Sequence, residues 1–240
     1  MPKTKANKVA VLCAEEEAEE LRSKFSRFKN ADFIPAIKFI DDEKAAADAV
    51  SMAEEAPYVI FGSKHSVRLF FKEARSMKKK GPLKNSLTFA AGMSTAKELE
   101  CNGVEVSYAP ETGGLLEVYI RIEGMKHGPV LEISGAGPGK KSSRSFAPGF
   151  MYIRAIIYSV NCLKLEFKAK DYSAILFPSS MEVESLFKSL DYDFKSLAGI
   201  KAICIGRKAL RKAKEAFPHA EAAKINSMKE AIVAAGGVYG

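Results

Sequence analysis

What most restricts the fold of this chain is a long-range internal repeat. Phe61-Gly62-Ser63, followed by Val67 and Phe71, matches Phe177-Pro178-Ser179, followed by Val183 and Phe187, at equal spacing and without a gap. A short apolar run leads to each serine and a helical pattern follows it, so both serines sit at strand-to-helix turns. About thirty residues further on, each copy has a second strand ending in glycine before a helix, at Ala91-Gly92 and at Ile205-Gly206. Some twenty residues later a hydroxyl residue opens another helix, Thr112 in one copy and Ser227 in the other. An offset of about 115 residues is too long for a solenoid and suits a duplicated domain. All these turns fall at the carboxyl ends of parallel strands, the edge where open α/β sheets bind ligands.

The turn within residues 89–99 carries the most information. Leu87 to Ala91 reads as a buried strand that breaks at Gly92, and Thr95-Ala96-Lys97-Glu98 fits a capping box. Strand, glycine turn and hydroxyl-capped helix aim backbone N–H groups and the positive end of the helix dipole outward, which favours an anion. Taken alone, Thr95 could simply cap a helix. Its recurrence along the chain is what points to a ligand.

Elsewhere strands alternate with helices. Residues 9–12 form a strand that leads into a helix over 15–28, whose glutamates suit a helix start. Residues 33–40 alternate in part around Pro35, which points to an edge or isolated strand serving as a connector. Further strands are expected at 58–61, 104–108, 129–133, 152–158, 163–167, 173–177, 200–205 and 222–225. Helices are expected at 43–55, 64–77, from Thr112, 181–190, 208–217 and 227–235. This alternation predicts a parallel-sheet α/β architecture.

The second copy lacks an opening strand–helix unit, and the chain begins with a spare one. The economical arrangement has one discontinuous α/β domain, residues 1–34 plus 168–240, and a second α/β domain, 42–151, inserted into it. Residues 35–41 and 152–167 are then interdomain connectors. The predicted fold class is α/β: two duplicated, flavodoxin-like parallel-sheet domains joined by a two-stranded β ladder, with their rims of N–H donors facing across a cleft.

Composition narrows the function. A chain of 240 residues, 47% of them hydrophobic, can bury a core for one large domain or two small ones. No apolar run reaches membrane-spanning length, and residues 9–14 are too short for a secretion signal, so a cytoplasmic protein is expected. Cys13, Cys101, Cys162 and Cys204 stand far apart with no Cys-x-x-Cys pair, which predicts reduced thiols and no zinc. His65, His127 and His219 lie in unrelated contexts, against a histidine-based metal site or triad. The net charge of +8 could steer a small polyanion. Its basic residues are dispersed and do not form the stripe, interleaved with aromatics, of a nucleic-acid binder. The glycine-rich stretch from Ser134 to Ser142 fails as a P-loop, which would need glycine at 134 and a hydroxyl at 141.

With these residues in order, the chain resembles the uroporphyrinogen-III synthase family. The family's strand–Phe-x-Ser–helix element is Phe61-Gly62-Ser63, and its Val-Gly-x-x-Thr-Ala-x-x-Leu element is Ala91-Gly92-Met93-Ser94-Thr95-Ala96-Lys97-Glu98-Leu99. Its Pro with Ser/Thr-x-x-Leu is Pro110 with Thr112 and Leu115, and its Val-Tyr is Ile157-Tyr158. Phe177-Pro178-Ser179, Ile205-Gly206 and Ser227 are the degenerate echoes.

The resemblance implies closure of the linear tetrapyrrole hydroxymethylbilane to uroporphyrinogen III, with inversion of the last pyrrole ring and loss of water. It implies no cofactor and a monomer; the dispersed charge and short apolar runs add the expectation of no nucleic-acid and no membrane partner. At the matching positions it makes Tyr158 the polar side chain beside the leaving hydroxyl, with Thr95 the other catalytic candidate. Thr95, Ser63 and Ser179 would hold substrate carboxylates together with the turns at Gly92, Ser94, Thr112, Gly206 and Ser227. The sequence also departs from the family. Ala209 replaces the second threonine, Ser134-Gly135 replaces an Arg-Gly, and no arginine stands near Cys13-Ala14. Two readings share these features: the synthase, and a non-catalytic two-domain binder of an anionic metabolite.

Overall fold

A computed structural model describes residues 8–111, 114–126, 128–137, 149–223 and 227–239. The first half of the chain runs β1 (Lys8–Ala14), α1 (Ala18–Lys24), β2 (Ala31–Asp41), α2 (Glu43–Ala53), β3 (Tyr58–Phe61), α3 (Lys64–Ser76), β4 (Leu87–Ala90) and α4 (Met93–Cys101). Then come α5 (Leu115–Glu123), β5 (Pro129–Ala136), β6 (Met151–Cys162), β7 (Tyr172–Phe177), α6 (Ser180–Ser189), β8 (Lys201–Cys204), α7 (Arg207–Ala213), β9 (Glu221–Ala222) and α8 (Met228–Ala234). The fold is mixed α/β. Among the described residues, strands are hydrogen-bonded in the orders β4-β3-β5-β6 and β2-β1-β7-β8-β9. The chain divides into two compact units, Met1–Phe39 with Val160–Gly240, and Ile40–Ser159.

In the first unit β1 pairs parallel with β2 and β7, β7 with β8, and β8 with β9. From Val9 to Ala14, β1 is apolar and buried because both its faces are covered. Ala10 and Leu12 pack with Phe177, Val183 and Phe187, while Val9, Val11 and Cys13 pack with Leu21, Phe25 and Ile232. In the second unit β3 pairs parallel with β4 and β5, and β5 with β6. Ile60, Phe89, Val118, Ile122 and Val130 form one side of its core. Phe61 and Phe70, both fully buried, meet edge to face with ring centroids 5.2 Å apart. Truncating either to alanine costs about 3–5 kcal/mol.

Each unit carries a bulge at the same point of its sheet. The β1–β2 register slips between Cys13 (opposite Pro35) and Ala14 (opposite Ile37). The β5–β6 register slips between Ser134 (opposite Ile156) and Gly135 (opposite Tyr158).

Several expected elements differ. Pro35 is not in an isolated strand, since β2 runs parallel to β1 from Ala31 to Ile37; the proline stands where the register slips, so its missing N–H breaks no regular ladder. Residues 163–167 alternate in hydrophobicity but form no strand. The Leu163 amide donates to the Ala36 carbonyl and the Leu165 amide to Ser189 Oγ instead. The expected strand at 104–108 is reduced to a bridge between Tyr108 and Phe89. The helix expected over 15–28 is a 3-10 turn, Glu15–Glu17, followed by α1, and the helix expected over 208–217 is the shorter α7. Thr112, His127 and residues 138–142 of the glycine-rich stretch lie outside the described residues. Among the described residues no helix is long and apolar enough to cross a membrane.

Candidate active site

Ser63 opens the site. β3 is buried along its whole length, and Gly62 lets the chain leave it beside β5: a Cβ at Gly62 would lie 2.8 Å from Ser134 Cβ. Ser63 is the N-cap of α3, extended at φ −162°, and its Oγ accepts from the Ser66 amide at 3.0 Å. Ser66 Oγ in turn accepts from the Ser63 amide at 3.2 Å, completing a reciprocal cap. The Ser63 hydroxyl also lies 2.8 Å from the hydroxyl of Tyr158.

Tyr158 stands on β6 just past the bulge and is 7% exposed. Its ring lies flat against Gly135, where a Cβ would come within 2.2 Å of the ring, so residue 135 has to be glycine for Tyr158 to sit there. The His65 ring meets it edge-on at 4.6 Å, and His65 Nε2 is 2.7 Å from Asp41 Oδ1. Burial pushes the Tyr158 phenol above its ordinary value; the Ser63 hydrogen bond and the Arg154 charge pull it back, and Asp41 pushes it up. The side chain is thus a neutral phenol at physiological pH, able to give a proton. Beside it an open cavity of about 550 Å³ is lined by Ile40, Asp41, Asp42, Glu43, Ile156, Tyr158 and Ser159. Asp42 caps α2 through the Ala45 amide, and Glu43 pairs with Lys72 at 2.7 Å.

Behind Tyr158 is a buried polar cluster. Glu132, in the middle of β5, is fully buried. Tyr119 and Tyr152 both donate to its Oε2, and Ser134 donates to its Oε1 at 2.9 Å. Arg154 Nε lies 3.0 Å from the same Oε1. Burial and the Glu132 charge push both phenols up, so they remain proton donors.

The family model for uroporphyrinogen-III synthase HemD matches residues 16–232. The chain belongs to the uroporphyrinogen-III synthase family. Its fold is similar to that of a mutant uroporphyrinogen III synthase from the extremely thermophilic bacterium Thermus thermophilus, with a TM-score of 0.63 at 14% identity, over 95% of this chain and 96% of that one. It is also similar to uroporphyrinogen-III synthetase from Helicobacter pylori, with a TM-score of 0.54 at 16% identity, over 95% and 97% of the two chains. A search of curated proteins finds no match.

The other residues that the synthase resemblance singled out are distributed as follows. Gly92 is the N-cap of α4, in extended backbone, and no side chain caps the helix. Thr95 is therefore not the cap of a Thr95–Glu98 box. It lies in the first turn, 3% exposed, and Glu98 instead pairs with Arg68 at 3.1 Å. Ser94 is exposed. The Ala91 amide donates to the Phe61 carbonyl and the Gly62 amide to that of Ile133. The ends of β4, β3 and β5 are thereby tied side by side, and Gly92, Ser63 and Tyr158 share one edge of one parallel sheet.

In the other unit, Ser179 caps α6, but its hydroxyl and amide both donate to buried Glu182, whose carboxyl burial pushes up. Gly206, at φ +90°, precedes α7, and Ala209 is buried at the position equivalent to Thr95. Ser227 precedes α8 without a side-chain cap bond. Among the described residues no group of three His, Cys, Asp or Glu side chains is arranged to hold a metal ion.

Sequence reasoning missed Gly135, His65, Asp41, Glu132 and Arg154. Two of them left a readable signal: Glu132 is a charge inside the otherwise apolar run Val130-Leu131-Glu132-Ile133, and Gly135 keeps the glycine of the family's Arg-Gly.

Proposed function

We propose that this protein closes hydroxymethylbilane to uroporphyrinogen III, inverting the terminal pyrrole ring and releasing water. The observation that carries the proposal is the family match over residues 16–232, within which Tyr158 is a buried, neutral phenol at the rim of a cavity. Tyr158 gives its proton to the leaving hydroxyl as the electron-rich pyrrole expels it, and water departs. The azafulvene left behind is cationic, and the Asp41 carboxylate on the cavity wall faces it. The Ser63 hydroxyl, 2.8 Å away, steadies the Tyr158 phenolate. The terminal ring then attacks through its substituted carbon, and the spiro intermediate fragments and recloses inverted. The proton lost as the last pyrrole regains aromaticity restores the phenol, so the net change is loss of water. No redox or metal group is called on.

Uncatalysed closure gives the uninverted isomer, so the protein has mainly to favour one geometry. A preference of roughly 99:1 requires only about 2.7 kcal/mol between competing transition states. Carboxylate contacts at helix N-termini, each worth about 0.3–1 kcal/mol, can supply that by positioning. We assign this role to the turn at Gly92 and Ser94 and to residue Thr112, with buried Thr95 supporting the first turn of α4 rather than taking part in the chemistry. Ser179, Gly206 and Ser227 form the weaker set, because Glu182 already occupies the Ser179 donors and Ala209 brings no hydroxyl.

The same proposal includes a duplicated, flavodoxin-like pair of domains, 1–34 plus 168–240 and 42–151, with residues 35–41 and 152–167 as the connectors between them. The two compact units and their matching bulges support it. It also includes a cytoplasmic monomer that works without nucleic acid or membrane. Hydroxymethylbilane incubated with the protein is expected to disappear faster than in buffer. An unchanged lifetime overturns the proposal.

A further inference from the structure

The ion pair behind Tyr158 is something the scaffold does not need. Counted from the bulge, Glu132 and Arg154 face each other across β5 and β6, where Val11 and Phe33 face each other across β1 and β2. Val11 and Phe33 are both buried, so the other unit builds the same bulge on an apolar pair. Glu132 is buried and Arg154 partly so, and an ion pair taken out of water is often no more stabilising than a well-packed apolar pair of similar volume. A charge here needs another reason, and its contacts lead to the reacting side. Arg154 Nε donates to Ser134 Oγ at 2.9 Å, and its Nη2 donates to the Gly135 carbonyl at 3.3 Å. Gly135 is the surface on which the Tyr158 ring rests.

We infer that Arg154, anchored by Glu132, is a positioning residue that fixes the Ser134-Gly135 bulge under Tyr158 and places a positive charge where the Tyr158 phenolate forms. The inference rests on the reading of Tyr158 as the proton donor. Ser63 and His65 at the start of α3, Asp41 at the end of β2, and Arg154 on β6 all act on that phenol. The Arg154 charge favours the ionised form and opposes both burial and Asp41.

The test uses the full chain labelled with carbon-13 at the tyrosine ζ carbons, with the Tyr158 signal assigned by its loss in Tyr158→Phe. In Arg154→Gln the Tyr158 signal is expected to titrate at higher pH than in the parent, and in Arg154→Lys close to the parent. With hydroxymethylbilane, kcat for the type III isomer is expected to fall about tenfold or more in Arg154→Gln, with KM little changed and partial rescue by Arg154→Lys. Arg154→Met, which keeps the unbranched stem, replaces Arg154→Gln should the latter fail to fold by near-ultraviolet circular dichroism. A Tyr158 titration unmoved by loss of the guanidinium overturns the inference, even where the rate falls. The titration needs no substrate. A parent protein that forms no type III isomer therefore counts against the proposed function alone, and the phenol still reports on Arg154.

Discussion

The hydroxyls of Ser63 and Tyr158 lie 2.8 Å apart, although 95 residues separate them in the chain. One is fixed by a helix cap and the other by a strand bulge, so neither can move without disturbing a structural element. Tyr158→Phe removes only the reacting hydroxyl and keeps the ring on Gly135. It should lower kcat for type III isomer formation about a hundredfold or more, the usual worth of a positioned proton donor. Thermal melting should register a change of about 1 kcal/mol, one hydrogen bond.

Gly135→Ala should produce a similar loss of activity by a different route. Its Cβ would stand 2.2 Å from Tyr158 Cζ, so the ring has to leave its place. Overpacking of this kind costs about 1–3 kcal/mol. Adding Tyr158→Ala to Gly135→Ala removes the clash, so the two substitutions should together cost less stability than the sum of their separate costs, without restoring the rate. Recovery of the rate would show that the ring's position is unimportant.

The two repeat serines should separate functionally. Ser63→Ala loses an N-cap worth about 1 kcal/mol and the partner of Tyr158, so both stability and kcat fall. Ser179→Ala strips a donor from buried Glu182 and should destabilise by about 1–3 kcal/mol while kcat stays near the parent value. Steady-state kinetics beside urea unfolding of the two variants checks the contrast.

These residues also show how far the sequence could be read. The serine turns were legible because their apolar spacing repeats, and Gly92 and Gly206 because a glycine ends each strand. Tyr158 was legible only through its resemblance to a family motif. Its surroundings were not: Gly135 meets it through a register slip, and His65 reaches Asp41 across 24 residues, neither of which leaves a local pattern. The Thr95–Glu98 spacing imitated a capping box, but extended backbone at Gly92 starts the helix three residues earlier. Pro35 pointed to an edge or isolated strand, and the bulge lets β2 pair with β1 around it. The alternation of 163–167 was outweighed by bonds to Ala36 and Ser189.

Alkaline pH should weaken the fold. Burial pushes the Cys13 and Cys204 thiols from 9.0 up to about 12, and the phenols of Tyr119, Tyr152 and Tyr158 upward as well. The folded chain then holds protons that the unfolded chain releases. Stability is complete below about pH 9 and declines as pH rises from there toward 12, by up to about 1.4 kcal/mol per pH unit for each group. Urea midpoints at pH 7.5 and pH 10 test this, and an equal midpoint at both contradicts it. A thiol reagent at neutral pH should modify exposed Cys101 readily, and Cys13 and Cys204 only on unfolding.

The most direct measurement is the isomer ratio of the products. Hydroxymethylbilane is incubated with the protein, the products are oxidised, and uroporphyrins I and III are resolved by chromatography. A type III fraction that rises with protein concentration and collapses in Tyr158→Phe is the expected result. Uroporphyrin I alone, formed at the buffer rate, would contradict the account and leave a protein that binds an anionic metabolite without converting it.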